Sequence, residues 1–134
     1  MIQFQSQLVV RCSAEPGEVE VSGSVDSLEE WANALTGDDV EISTSPGDDP
    51  SPYSRCLTGI RVRSTAPGLV KMSVDADRQA LTFTGSGESM KVLAENILGL
   101  CREGVPGEHL HIEYFPDHFY LAESRISLVV ERAD

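Results

Sequence analysis

The residues best suited to chemistry lie close together near the C-terminus, in the segment His109-Leu110-His111-Ile112-Glu113. On a β-strand alternate side chains share a face, so His109, His111 and Glu113 are expected to project to one side. Two imidazoles and a carboxylate form a ligand set that suits zinc or iron. An alternating strand with one face in water also carries polar side chains at such positions without any metal. The segment therefore predicts either a metal site or an ordinary solvent-exposed strand face.

Other catalytic patterns are absent from the sequence. It contains no Gly-rich phosphate loop, no nucleophile elbow and no CxxC pair. The three cysteines, Cys12, Cys56 and Cys101, are scattered and odd in number, which is typical of reduced thiols in a cytoplasm rather than of a disulfide framework. We therefore expect a cytoplasmic binding protein that is not an enzyme and needs no cofactor.

Charge is distributed unevenly along the chain. Twenty-two acidic residues against ten basic ones give a net charge of −12 at pH 7. This argues against nucleic acid as a partner, because phosphate binding needs an excess of Lys and Arg. Between Cys12 and Ser54 lie eleven of the acids and no Lys or Arg. Such a field attracts a basic protein partner, although it also keeps a small protein soluble.

Two segments of the chain, residues 19–32 and 81–94, align without a gap. Each begins with alternating apolar residues, as a strand does, and continues with Gly-Ser, an acid and a second Ser. The hydroxyl is suited to capping a helix start, and the carboxylate to the positive end of the helix dipole. Apolar residues follow at helical spacing, and Gly37 and Gly104 are expected to end the helices. These residues are Leu28, Trp31, Ala32 and Leu35 in the first copy, and Met90, Leu93, Ala94 and Ile97 in the second.

The remaining segments predict strands joined by turns, in the order ββαβ and then βββαββ. Hairpin connections of this kind favour an α+β fold with a mostly antiparallel sheet, two helices on one face and two pseudo-repeated strand–strand–helix units. The length predicts a single domain, 1–134. It would hold pseudo-repeats 1–44 and 57–115 and an exposed, acidic, Pro-rich linker at 45–56. The apolar runs are too short to cross a membrane.

Several segments carry a family resemblance, most of it between Leu81 and Val130. They are Leu81-Thr82-Phe83-Thr84-Gly85, Leu93-Ala94-Glu95-Asn96-Ile97, His109-Leu110-His111-Ile112-Glu113-Tyr114-Phe115-Pro116, His118-Phe119-Tyr120-Leu121 with Ser124, and Ser127-Leu128-Val129-Val130. With this pattern the chain resembles the immunity protein 32 family, predicted partners of bacterial polymorphic toxins. Arg125-Ile126 departs from the more neutral approach to the last strand expected there. The resemblance implies a cytoplasmic bacterial antidote that neutralises a toxin by binding it.

The expected contact surface follows from the charge and the resemblance together. A basic partner, such as a nuclease toxin, would meet the outer face of the first helix, the turn after it and the acidic linker. The residues concerned are Glu29, Glu30, Asp38, Asp39, Asp48 and Asp49. Two alternatives stay open: a metal-binding protein or enzyme using His109, His111 and Glu113, and a homodimer formed through a free sheet edge.

Overall fold

The chain forms two helices and nine strands within the residues that the computed structural model describes, 2–15, 17–47 and 49–134. The helices are α1 (Val25–Leu35) and α2 (Gly87–Glu103). The strands are β1 (Ile2–Cys12), β2 (Glu18–Gly23), β3 (Asp39–Ser45), β4 (Arg55–Leu57), β5 (Gly59–Ser64), β6 (Lys71–Asp75), β7 (Ala80–Gly85), β8 (His109–Ile112) and β9 (Ser127–Arg132). Among these residues no helix is long and apolar enough to span a membrane.

Both helices begin with the same cap. Ser24 Oγ accepts a hydrogen bond from the Ser27 backbone N–H at 3.1 Å. Ser86 Oγ accepts the equivalent bond from the Ser89 N–H at 3.2 Å. Each cap occupies one of the N–H groups that the first turn of a helix leaves unpaired. The helix starts therefore lie where the Gly-Ser pattern predicts them.

The helix ends are also close to the predicted glycines. α1 ends at Leu35 with Thr36 as its cap, one residue before Gly37. α2 ends at Glu103 and Gly104 is its cap, with the Gly104 N–H bonded to the Leu100 carbonyl at 3.0 Å. A Cβ at Gly104 would lie 2.5 Å from that carbonyl oxygen, so the position requires glycine.

The sheet is mixed, so the prediction of a mostly antiparallel sheet is not confirmed. Its strand order is β6-β7-β5-β3-β1-β2-β9-β8, and β4 pairs with β1. Neighbouring hairpin strands pair antiparallel, as in β1 with β2 and β6 with β7. Three pairs between strands that are not consecutive in sequence, β1 with β3, β2 with β9 and β5 with β7, are parallel. Turn residues indicate hairpins, but they carry no information about which distant strands become neighbours.

The sheet curls until its β6 end meets the segment that precedes β9. The Val70 N–H donates to the Tyr120 carbonyl at 2.8 Å, and the Ala122 N–H donates to the Val70 carbonyl at 2.7 Å. Ser124 Oγ bonds the Met72 carbonyl at 2.8 Å. An irregular register in β1 between residues 5 and 9 accompanies the curl, because a disrupted ladder increases local twist.

One hydrophobic core lies between the helices and the sheet. α1 and α2 pack against each other, and their apolar stripes are buried together with inward residues of strands from both halves of the chain. Trp31 of α1 is fully buried and contacts Phe83 of β7, with ring centroids 5.7 Å apart. Leu93 of α2, the residue aligned with Trp31, is fully buried as well.

The two capped strand–helix segments share their caps and burial pattern, but the wider pseudo-repeat is not confirmed. After α1 the chain enters β3, which pairs parallel with β1. After α2 it enters β8, which pairs antiparallel with β9 and stands at the end of the sheet. The surroundings of the two helices therefore differ, and the division into repeats 1–44 and 57–115 stays a prediction.

Candidate partner-binding surface

The four acids predicted around α1 differ in exposure. Glu30 and Asp38 are exposed, whereas Glu29 and Asp39 are half-buried. For Glu29 and Glu30 helical spacing causes this difference, since the opposite side of α1 carries its buried apolar stripe. The turn after α1 then places Asp38 directly before β3. Glu30 and Asp38 are therefore the acids of this group that present most of their charge to solvent.

Glu29 and Asp39 lie beside other parts of the protein. Burial raises the pKa of the Cys101 thiol of α2, and the nearby Glu29 carboxylate raises it further. Asp39 stands opposite Arg63 in the β3–β5 ladder. Glu30 and Asp38, by contrast, form no ion pair with another described residue. Their charges are free to act on a partner.

An apolar cavity of about 430 Å³ opens beside Glu30, where the last turns of α1 lie over β1 and β3. Its apolar wall consists of Ile2, Phe4, Ala34 and Val40, and its polar side carries Glu30 and Asn33. Ile2 is 62% exposed. The cavity thus combines an accessible apolar wall with a carboxylate at its rim.

Some of the acids between Cys12 and Ser54 are neutralised within the fold by bases from outside that segment. Glu20 is buried and bonds the guanidinium of Arg11, with Arg11 Nε at 3.1 Å. Glu41 pairs with Arg61 Nε at 2.9 Å and with an Arg78 nitrogen at 3.6 Å. The acidic field is therefore weaker than the sequence count suggests, and it is concentrated at the acids that remain unpaired.

The acidic linker packs against the sheet near Arg11, away from α1. Arg11 donates to the Ser51 carbonyl at 2.7 Å, and its guanidinium lies 5.1 Å from the centre of the Tyr53 ring. Its neighbours on β1, Val10 and Cys12, point into the core, so by strand alternation Arg11 points away from the helices. Linker and α1 therefore lie on opposite faces of the sheet.

Of the two linker acids in the predicted contact set, only Asp49 can be placed. A hydrogen bond from the Ser51 N–H, at 2.9 Å, lowers the pKa of the Asp49 carboxyl, with a smaller contribution from Arg11. Asp48 lies outside the described residues. The structure brings Glu29, Glu30, Asp38 and Asp39 to α1 and its following turn, but it does not bring Asp49 next to them.

The alternative metal site has the predicted strand face but not the geometry of a ligand set. His109, His111 and Glu113 are all exposed, and Ile112 between them is buried. His109 Nε2 lies 3.0 Å from a carboxylate oxygen of Glu131, its cross-strand neighbour on β9. The His109 and His111 ring centroids are 6.4 Å apart. Within the described ranges, no group of three or more His, Cys, Asp or Glu residues is placed to hold a metal ion.

The buried thiols are poor nucleophiles. Burial raises the pKa of the Cys12 thiol, as it does for Cys101. A thiol with a raised pKa holds little of the reactive thiolate at neutral pH. Cys12 and Cys101 therefore add no nucleophile to the surfaces described above.

Sequence reasoning missed a group of aromatic residues in the segment between β8 and β9. Phe115, His118 and Phe119 reach the surface, and Tyr120 is buried beside them. The available signal was the density of rings around the turn-forming pair Pro116-Asp117. Phe115 and Phe119 are 57% and 74% exposed. Large exposed apolar side chains in a group indicate an interaction surface.

The fold is that of a small mixed α+β protein whose first helix buries one side and carries Glu30 on the other. Residues 80–133, from β7 to β9, match the family model Immunity protein 32. The predicted resemblance to the immunity protein 32 family is therefore confirmed for this part of the chain. The match covers less than half of the chain and leaves α1 outside it. No curated protein and no solved structure gives a significant match.

Proposed function

We propose that this protein is a bacterial immunity protein that binds and neutralises a toxin in the cytoplasm. The observation that carries the proposal is the match of residues 80–133 to the family Immunity protein 32. Neutralisation would proceed by binding, without a catalytic step and without a cofactor. The free thiols of Cys12, Cys56 and Cys101 suit a reducing compartment.

The proposed partner is a basic protein, and a nuclease toxin fits best. An enzyme that acts on nucleic acid needs Lys and Arg to hold phosphates. A protein with a net charge of −12 is attracted to such a surface and competes with the nucleic acid for it. The charge argument is independent of the family match, because the whole of the concentrated acidic segment precedes residue 80.

The proposed contact is the surface formed by Glu30, Asp38 and the cavity beside Glu30, together with Glu29 and Asp39. A Lys or Arg side chain has an apolar stem and a charged end. Its stem would lie along Ile2 and its charge would meet Glu30 at the rim. Asp49, on the other face of the sheet, would add little to this contact, since exposed charges are screened beyond about 8 Å at physiological salt.

Charge reversal at Glu30 and Asp38, the two exposed acids that form no ion pair with another described residue, tests this contact. The probe would be a toxin domain identified among the genes adjacent to this one, called here the neighbouring toxin domain. We expect the double substitution Glu30→Lys and Asp38→Lys to slow association about tenfold at low salt and to reduce its salt dependence. Stopped-flow measurements at several salt concentrations would give both quantities. Asp39 is left unchanged because it faces Arg63 across the ladder.

The matched control changes the net charge equally at another surface. Glu95 and Glu103 are both exposed on α2, and their substitutions are Glu95→Lys and Glu103→Lys. A lysine at position 103, the last residue of the helix, does not oppose the helix dipole. This control should retain most of the wild-type association rate. If both double substitutions slow association equally, the total charge determines the rate and α1 is not a specific contact.

A further inference from the structure

The segment Phe115–Tyr120, called here the aromatic loop, exposes two phenylalanines. Phe119 is 74% exposed and Phe115 is 57% exposed. Both lie within the residues that match the immunity protein family. Exposed rings of this size are unfavourable in water, so a role in binding would account for their position.

Backbone hydrogen bonds hold the aromatic loop in one shape. The His118 N–H donates to the Phe115 carbonyl at 3.0 Å and closes a turn over Pro116 and Asp117. Asp117 has a φ of 68°, a conformation that Asp and Asn tolerate better than most residues. The backbone N–H groups of Tyr120 and Leu121 donate to His118 Nδ1 at 3.3 and 3.0 Å. Phe115 and Phe119 therefore lie in an ordered, hydrogen-bonded turn.

The rings contact one another in a cluster that extends from the surface to the core. The His118 ring lies 4.6 Å from the Phe115 ring and 5.7 Å from the Phe119 ring, and it is parallel to the latter within 1°. Buried Tyr120 contacts His118 and accepts a hydrogen bond at its hydroxyl from the Asn96 side chain of α2, at 3.0 Å. Side chains that are already ordered lose little conformational freedom on binding.

Along the sequence, the charged residues within the aromatic loop and directly beside it are all acidic. From Glu113 to Glu123 the chain carries Glu113, Asp117 and Glu123 and no Lys or Arg. The face of an aromatic ring attracts a guanidinium or ammonium group, and the neighbouring carboxylates attract the same cation. A second copy of this acidic chain would bring like charges together, which is unfavourable.

We propose that the aromatic loop is an anchor for the basic toxin partner. An Arg or Lys side chain of that partner would cover the Phe119 ring, with its charge facing Asp117, and apolar groups beside it would cover Phe115. The inference rests on the proposed function and extends it, because it assigns a contact that is separate from the acidic surface of α1.

Three substitutions and one control test the anchor against the neighbouring toxin domain. Phe119→Ala and Phe115→Ala should each weaken binding about tenfold or more, mainly through faster dissociation. Asp117→Asn keeps the backbone conformation and removes one charge, so it should weaken binding less and lower the salt dependence. Val105→Ala truncates a residue that is 60% exposed elsewhere and should have no effect. Dissociation rates and melting temperatures would be measured for all four variants.

The results separate this inference from the proposed function. Loss of affinity by Phe119→Ala at an unchanged melting temperature would support the anchor. If the wild type binds and Phe119→Ala changes the affinity by less than twofold, the anchor is overturned and the proposed function is not. If the wild type is a dimer and Phe119→Ala makes it a monomer, the rings bind a second copy of the chain, which also overturns the anchor. Absence of any wild-type binding would contradict the proposed function, and the anchor with it.

Discussion

Arg11 lies on β1 with its guanidinium bonded to the buried carboxylate of Glu20 and to the Ser51 carbonyl. The same guanidinium is stacked over the Tyr53 ring. One basic residue thereby neutralises an acid of the concentrated segment and holds the linker on the sheet. Such pairing was not predictable, because Arg11 and Ser51 are separated by 40 residues.

The pKa of Tyr53 provides a test of this arrangement. Burial and a hydrogen bond to Glu18 raise it to about 12, from an ordinary value of 10. Because the folded state favours the neutral phenol, the stabilisation it contributes is complete below pH 10 and is lost as the pH rises through 12. Absorbance titration should therefore show a tyrosine that ionises near pH 12 and is missing in Tyr53→Phe. If all tyrosines instead ionise near pH 10, the packing of the linker against the sheet is contradicted.

At the scale of elements, local patterns in the sequence predicted both helices, their serine caps and the hairpins. Ser24 and Ser86 cap as expected because a helix start depends on a few neighbouring residues. The parallel pairs of β1 with β3 and β2 with β9 were not predicted. These pairings depend on how the whole core packs, and no short sequence motif predicts that packing.

Trp31 of α1 tests how the helices are held to the sheet. It is fully buried against Phe83, and its indole Nε1 has no hydrogen-bond partner among the described residues. Trp31→Ala should lower the free energy of unfolding by about 3–5 kcal/mol through the cavity it leaves. Trp31→Phe should cost clearly less, because it keeps a ring and removes an unpaired donor. Denaturant unfolding of both variants measures this, and a cost below about 1 kcal/mol for Trp31→Ala would contradict its place in the core.

At the scale of the molecule, two separate surfaces adjoin the pair of helices. One is the acidic surface at Glu30 and Asp38 of α1 and the turn after it. The other is the aromatic loop, attached to α2 through Tyr120 and Asn96. The first was predictable because acids opposite an apolar stripe must face water. The second was not, since only the folded chain shows that Phe119 stays outside the core.

The measurement that tests the proposed function most directly is survival of bacteria that produce the neighbouring toxin domain, with and without this protein. We predict that cells survive when both proteins are produced, and that the purified pair forms a complex. An unrelated acidic protein of similar size, produced at the same level, should give no protection. Equal killing with and without this protein, at confirmed levels of folded protein, would contradict its assignment as an immunity protein for that toxin.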